Sequence, residues 1–326
     1  MRSASTASSW LKIASLSALA VFAACALLEH LLEARDKTAA TANDTFFAVN
    51  GKQIRYRLLG AHQPGPTIVL LSGVTASLEA WDSVQTALSL RHSVLAYDRA
   101  GTGFSDASNA HDAITEADEL AALLKAPDVT PDCVVVGYSA SAFLARVFAA
   151  RHPQLTRGVV LIDPATRDDH AATPPYQALS YRRDFARVLF MSTLQSLVGY
   201  RRLEQYWALR HIPPATPAAA KGRQILVSFH HWLASSLDCL TLDASSRQAE
   251  ASPPSASIPI GLLTTSSAEH DADTYAEQRE LVKTPRGILR YAGRIDHSAL
   301  LWPGTDQQTL DLIFQVEQEA MLPSPH

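Results

Sequence analysis

The sequence predicts an α/β protein. Its core is a mostly parallel central sheet with helices on both faces, and a helical cap is inserted into it. Three observations carry that prediction. Short β-branched runs alternate with helical patterns along most of the chain, as a parallel sheet covered on both faces requires. The apolar run 133–136 leads into Gly137-Tyr138-Ser139-Ala140-Ser141, which opens a helical pattern over 141–152, so a buried strand, a sharp turn and a helix follow one another. Residues 166–252 break the alternation, being rich in Arg, Tyr, Leu and His with helical periodicity and no convincing strand.

The elements follow in chain order. Asn50-Gly51, between the runs 46–49 and 53–58, is a strong short hairpin signal. Strands are expected at 67–71, 93–97, 133–136, 158–162, 258–264 and 287–291. Helices are expected at 77–89, 114–125, 141–152 and 307–319. The pairs Pro174-Pro175, Pro213-Pro214 and Pro253-Pro254 punctuate the insertion, which reads as a cap over the carboxyl ends of the strands. The organisation expected is an N-terminal helix over 1–33, a linker over 34–44 and a catalytic domain over 45–326 with its cap at about 166–252.

Composition narrows the function. Of 326 residues, 47% are hydrophobic and 18% charged, which describes a folded chain with a substantial core. A net charge of −4 without a basic stripe argues against a nucleic-acid partner. Cys25, Cys133 and Cys239 offer neither a disulfide framework nor zinc spacing, so no metal and no cofactor is indicated. Oligomeric state leaves no mark in the sequence.

The N-terminus carries a second signal. Arg2 and Lys12 precede an uncharged, largely apolar run over 13–28, and Glu29, Glu33 and Asp36 follow it. That run is somewhat short of the roughly 20 residues that span a bilayer, a gap that tilt or the flanking Trp10 and Lys12 would close. The charge bias puts the N-terminus in the cytoplasm and the remainder on the export side. A retained signal-anchor helix is the preferred reading. A signal peptide cut near Ala24-Cys25-Ala26 and lipidation at Cys25 stand as alternatives, and all three export the domain.

Four segments fall at the carboxyl ends of predicted strands, where open α/β sheets bind ligands. They are Ser72-Gly73-Val74-Thr75, the run Tyr97-Asp98-Arg99-Ala100-Gly101-Thr102-Gly103-Phe104-Ser105-Asp106, the serine turn, and Gly293-Arg294-Ile295-Asp296-His297-Ser298. This set, in this order, resembles the α/β-hydrolase superfamily from about Phe46 to the C-terminus. The string at 97–106 is similar to that of a membrane-anchored subgroup.

The resemblance implies a serine hydrolase with Ser139 as nucleophile and His297 as its base, in the order serine, acid, histidine. His152, His170, His230 and His231 read as surface residues of helix or cap. The acid, which orients the imidazole, is less direct. In most relatives it follows the penultimate strand, where Ala268 stands here. Asp163, in Leu161-Ile162-Asp163-Pro164, is preferred, with Asp271 as the alternative. The two oxyanion donors implied are the backbone N–H groups of Ala140 and Val74. Two departures stand out: Ser141 replaces the usual second glycine of the turn, and Ser72 replaces the histidine that relatives often carry. The segment 98–106 reads as structural, its glycines allowing tight turns and Asp98 and Arg99 holding neighbouring loops.

The expected activity is cleavage of a carboxylic ester or related acyl compound, a small-molecule substrate, through an acyl-enzyme. A catalytically silent binding module on the same fold and an acyltransferase are the alternatives. Nothing in the sequence selects the substrate.

Overall fold

The computed structural model describes residues 3–166 and 175–322. A long helix, α1 (Ser3–Ala40), precedes a hairpin of β1 (Thr45–Val49) and β2 (Lys52–Leu59). Then come β3 (Thr67–Leu71), a 3-10 turn over Leu78–Trp81 running into α2 (Asp82–Leu88), β4 (Val94–Tyr97), α3 (Ala113–Leu123), β5 (Cys133–Tyr138), α4 (Ser141–Arg151) and β6 (Thr156–Ile162). Four helices intervene: α5 (Pro175–Leu197), α6 (Tyr200–Leu209), α7 (Pro217–Ile225) and α8 (Phe229–Ala251). The chain returns to the sheet through β7 (Ile260–Thr264), α9 (Ala272–Leu281), β8 (Gly287–Tyr291), a 3-10 turn at His297–Leu301 and α10 (Gln307–Met321).

The eight strands form one sheet in the order β1-β2-β4-β3-β5-β6-β7-β8. β1–β2 and β2–β4 are antiparallel, and every pair beyond β4 is parallel. Central strands of such a sheet are buried on both faces, which is why β3, β5 and β7 read as continuous apolar runs rather than alternating ones. Two apolar layers result. One includes Leu120, Phe143, Phe148 and Leu161, packed under α3 and α4. The other includes Leu70, Trp81, Val136 and Ile313, packed under α2 and α10.

The carboxyl edge is where the chain reverses between strand and helix. Gly137 shows how tightly: a Cβ there would lie 2.7 Å from Ser141 O and 3.0 Å from Ala142 N, so only glycine lets β5 turn into α4. Ser139 itself has φ 57°, a left-handed conformation that a non-glycine residue adopts only under constraint.

Three expectations need correction. Most of the segment expected as a linker is helical, because α1 continues to Ala40. Its charges find fixed partners: Arg202 pairs with Glu29 at 2.6 Å and with Asp36 at 2.5 Å, and His230 Nδ1 lies 3.1 Å from Glu33. The helix α9 was not anticipated; only Thr274 and Gln278 are buried along it, so it carries no apolar stripe. His231 is fully buried rather than on the surface. His170 lies outside the described residues.

Candidate active site

Ser139, Asp163 and His297 come from three separate strand ends and line one cavity of about 1660 Å³. Ser139 sits between β5 and α4, where its N–H donates to Ile162 O at 3.0 Å and its carbonyl accepts from Ala142 N–H and Ala165 N–H. Those bonds fix the strained turn to the end of β6. Asp163 follows β6 directly, also at positive φ (42°), and His297 opens the 3-10 turn after β8.

The imidazole and the carboxylate meet. His297 Nδ1 lies 2.6 Å from Asp163 Oδ2, a distance typical of a charge-assisted hydrogen bond. A carboxylate only accepts, so Nδ1 carries the proton and donates it. Asp163 is itself held by Thr265, whose N–H donates to Oδ1 at 2.9 Å and whose hydroxyl reaches both oxygens. The Tyr138 ring stacks on the imidazole with centroids 4.7 Å apart, and its hydroxyl donates to His297 O at 3.0 Å. Two faces of the histidine are thus fixed while 45% of its side chain stays open. Burial and the nearby Asp163 push the Tyr138 phenol up, so this clamp stays neutral.

Asp271 takes a different place. It sits exposed before α9 and accepts from Ser266 Oγ at 3.1 Å, with no bond to His297. Thr265, just after β7, instead holds the carboxylate of Asp163 at the end of β6.

The loop after β3 approaches the serine closely. A Cβ on Gly73 would lie 3.0 Å from Ser139 Cβ, so any side chain there would press on the serine. Val74 and Ala140 both line the cavity beside Ser139. Among the described residues neither of their N–H groups donates to another backbone or side-chain acceptor.

The two departures from the family pattern act together. The Ser141 hydroxyl donates to Ser72 O and accepts from Arg99 Nη1 at 2.8 Å. Arg99 Nη1 also reaches Ser72 O at 3.3 Å, and Ser72 Oγ donates to Ser77 O at 2.9 Å. The hydroxymethyl that replaces glycine is therefore a strut under the loop that carries Val74.

Helix α8 grips the same loop from above, a role that sequence reasoning missed. Arg99 Nη2 donates to Asp238 at 2.5 Å, and His111 Nδ1 reaches the other oxygen of Asp238 at 2.7 Å. Burial opposes charge on Asp238, but Arg99 and His111 hold its carboxyl below the usual range. Glu116, beside Arg99, is instead pushed up to about 7, mainly by burial. His231 accepts from Gly103 N–H at Nδ1 (3.1 Å) and donates from Nε2 to Thr75 O (3.1 Å). Burial holds this imidazole neutral by lowering its pKa. Thr75, at φ 65°, is the residue after Val74. No local signal marks His231, because its role is set by α8 folding back across more than a hundred residues.

Below the site, Asp98 holds the segment 98–106. Its carboxylate accepts from Leu78 N–H at 2.8 Å, Phe104 N–H at 3.0 Å and Arg55 at 3.0 Å. Burial, aided by Glu79, pushes the Asp98 carboxyl up to about 6. A Cβ on Gly103 (φ 54°) would fall 2.1 Å from that carboxylate, so the second glycine of the segment leaves room for it.

His111, Glu116 and Asp238 bring ligand-type atoms within 4.8 Å of one another. The Arg99 guanidinium already neutralises that group, and a cation there would compete with it.

A serine on a strained strand-to-helix turn and a bonded histidine–carboxylate pair line one cavity, and among the described residues no hydrogen bond joins the Ser139 hydroxyl to His297. The sequence pattern of the alpha/beta hydrolase fold family matches residues 66–245, more than half of the chain, which belongs to that family. Among curated relatives, the "Putative carbamate hydrolase RutD" of Pseudomonas syringae pv. syringae is 36% identical over 180 residues, 53% of this chain and 62% of that protein. Several other relatives are matched over less than half of their own length. Among solved structures, the enol-lactonase of Burkholderia xenovorans superposes with a TM-score of 0.58 at 22% identity, covering 84% of this chain and all of that one. A membrane phospholipase A, described as a bacterial virulence factor, gives 0.54 at 19% identity, covering 95% and 97%. These two likenesses are likenesses of fold. The chain spans less than two thirds of the length of the curated relatives it matches.

Proposed function

We propose that the protein is a serine hydrolase that cleaves a carboxylic ester or related acyl compound through an acyl-enzyme. The observation that carries this reading is the 2.6 Å bond from His297 to Asp163, two residues that line one cavity with Ser139. With Nδ1 donating to Asp163, Nε2 keeps the lone pair that a general base needs.

In the first half-reaction Ser139 Oγ attacks the carbonyl carbon as its proton passes to His297 Nε2. The oxygen turns anionic and takes hydrogen bonds from Val74 N–H and Ala140 N–H, the latter at the N-terminus of α4, where the helix dipole adds to the effect. The tetrahedral intermediate collapses when His297 returns the proton to the leaving oxygen, which releases an alcohol. Water then attacks the acyl-enzyme, gives its proton to His297 and frees the acid, restoring Ser139.

The cavity supports an acyl substrate with an apolar portion. Helix α7 lends Ala218, Ala219 and Ile225 to its wall, Leu226 just after it adds to them, and α8 lends Leu242. The named curated relative suggests the same carbonyl chemistry: a carbamate presents a carbonyl carbon to a nucleophile. Purified protein should hydrolyse p-nitrophenyl esters of short and medium acyl chains, and Ser139→Ala should abolish turnover without lowering Tm. Turnover that survives Ser139→Ala would reject the mechanism. A folded wild-type protein inert toward every acyl chain would favour a silent binding module.

The same reading assigns α1 to the membrane. Residues 12–40 are long and apolar enough to cross one, and Ile13, Leu16, Leu19, Val21, Phe22 and Leu27 are all exposed on the folded chain. We take α1 as a single-pass anchor, with the catalytic domain on the export side. Resistance to carbonate extraction is expected, and a freely soluble product beginning after residue 24 would contradict it.

A further inference from the structure

Helix α6 buries none of its residues. Tyr200, Leu203, Tyr206 and Trp207 are 51%, 60%, 61% and 64% exposed. Their spacing, three and then three to four residues apart, places them along one stripe of the helix. Such an aromatic and apolar stripe facing solvent marks an interaction surface. Tyrosine and tryptophan are the residues that favour the headgroup level of a bilayer, with an apolar body and a polar tip. Arginines flank the stripe: the Arg210 guanidinium lies 4.2 Å over the Trp207 ring, and Arg201 lies 4.9 Å over Trp232.

The place of α6 along α1 identifies the partner. The uncharged run of α1 ends at Leu28, and the next residue, Glu29, is buried against α6. Arg202 bonds to Glu29 and to Asp36, two helical turns further on. Gly199, which caps α6, is so close that an added Cβ would lie 3.0 Å from Glu29 Oε2. The helix therefore begins at the level where the hydrocarbon-compatible run stops, with no free linker between. The neighbouring helix α5 extends the apolar surface with exposed Phe190, Met191 and Leu194.

We propose that the exposed face of α6 lies in the interfacial layer of the bilayer that α1 crosses, so that the cap rests on lipid. This rests on the reading of α1 as a membrane span. An amphipathic helix with aromatic residues on one side and arginines beside it is suited to that plane. A second copy of the chain would cover the stripe as well, but it would not account for the level at which Arg202 and Gly199 fix α6.

Depth-dependent quenching separates these outcomes. The full chain, carrying Cys239→Ser, is reconstituted into phosphatidylethanolamine–phosphatidylglycerol vesicles and labelled with an environment-sensitive fluorophore at the exposed native Cys25. A second protein carries Cys25→Ser, Cys239→Ser and Leu203→Cys, labelled at the new thiol. The label at Cys25, about one helical turn inside the end of the uncharged run, should lose most of its emission to lipids with a nitroxide on the upper acyl chain and resist aqueous iodide. The label at position 203 should lose most of its emission to nitroxides near the headgroup and resist aqueous iodide. If position 203 is quenched by iodide and untouched by lipid nitroxides while Cys25 is quenched by lipid, the proposal fails and the anchor stands. If Cys25 is not quenched by lipid, the anchor reading fails and takes the proposal with it. Protection at position 203 that comes only with cross-linking to a second copy would make the stripe a dimer face and overturn the lipid assignment.

Discussion

Asp163→Asn is the substitution whose effect the geometry fixes most closely. The two atoms of the new amide are not free to choose their places. Thr265 N–H donates to Oδ1 at 2.9 Å, so the amide oxygen stays there and the NH2 group faces His297 Nδ1. An amide NH2 donates, and Nδ1 must then accept. The imidazole proton moves to Nε2, the nitrogen that should take the proton of Ser139. The histidine keeps its place against Tyr138 but holds the wrong tautomer. In a triad of this kind the same change lowers kcat by about 10⁴, the value known for a serine protease. At about 1.36 kcal/mol per decade this is about 5.4 kcal/mol of transition-state stabilisation. Steady-state hydrolysis of a p-nitrophenyl ester measures it, with Tm recorded to confirm that the fold persists. Asp271→Asn serves as the comparison. Among the described residues the Asp271 carboxylate bonds only to Ser266, and the change should alter kcat by less than about tenfold, since a carboxylate outside the proton path contributes little. Near-normal turnover in Asp163→Asn with collapse in Asp271→Asn would refute the assignment.

Three further outcomes follow from the geometry. Gly137→Ala forces a Cβ to within 2.7 Å of a backbone oxygen; β5 and α4 must separate, and a fall in Tm with loss of turnover is expected from melting curves and ester assays. Asp238→Asn removes the charge facing Arg99 and His111 in a buried site, where breaking an ion pair costs about 3–5 kcal/mol; chemical denaturation should show that loss, and kcat should fall while KM moves little, because the loop under Val74 loosens. The pH dependence turns on His231, whose folded pKa is lowered by burial below the ordinary 6.5. A histidine held neutral stabilises the fold above its unfolded pKa, and that contribution is lost as pH falls through 6.5 toward the folded value. The stability advantage of the wild type over His231→Gln, which never charges, should therefore shrink below pH 6.5 and hold above it. An advantage that grows on acidification would contradict this assignment.

The parts of the fold that could be read in advance are those written in local sequence. Strands β3 and β5 are buried on both faces, so each shows as an unbroken apolar run. The serine turn is legible because strand, glycine and helix must follow one another without a gap. His297 is legible by its place after the last strand, and Asp163 by its place at the end of β6. What escaped depends on distant partners. The polar stretch 34–40 has the composition of a linker, yet its helix is held by Arg202, far away in the chain. Helix α9 offers no apolar stripe, because the residues it buries are a threonine and a glutamine. His231 and Asp238 look like polar residues of a cap surface. They become supports of the loop at 72–75 only when α8 closes over it. Ser141 is visible as a departure from glycine, but its purpose needs Arg99 and the Ser72 carbonyl in view.

The central claim is that Ser139 is made nucleophilic by His297 under the control of Asp163. Its most direct measurement is covalent labelling with a fluorophosphonate, followed by peptide mass spectrometry. A single adduct on the peptide carrying Ser139 is expected, fast in the wild type, sharply slowed in Asp163→Asn and absent in Ser139→Ala. A folded wild-type protein that takes no label, or an adduct on any other serine, would contradict it.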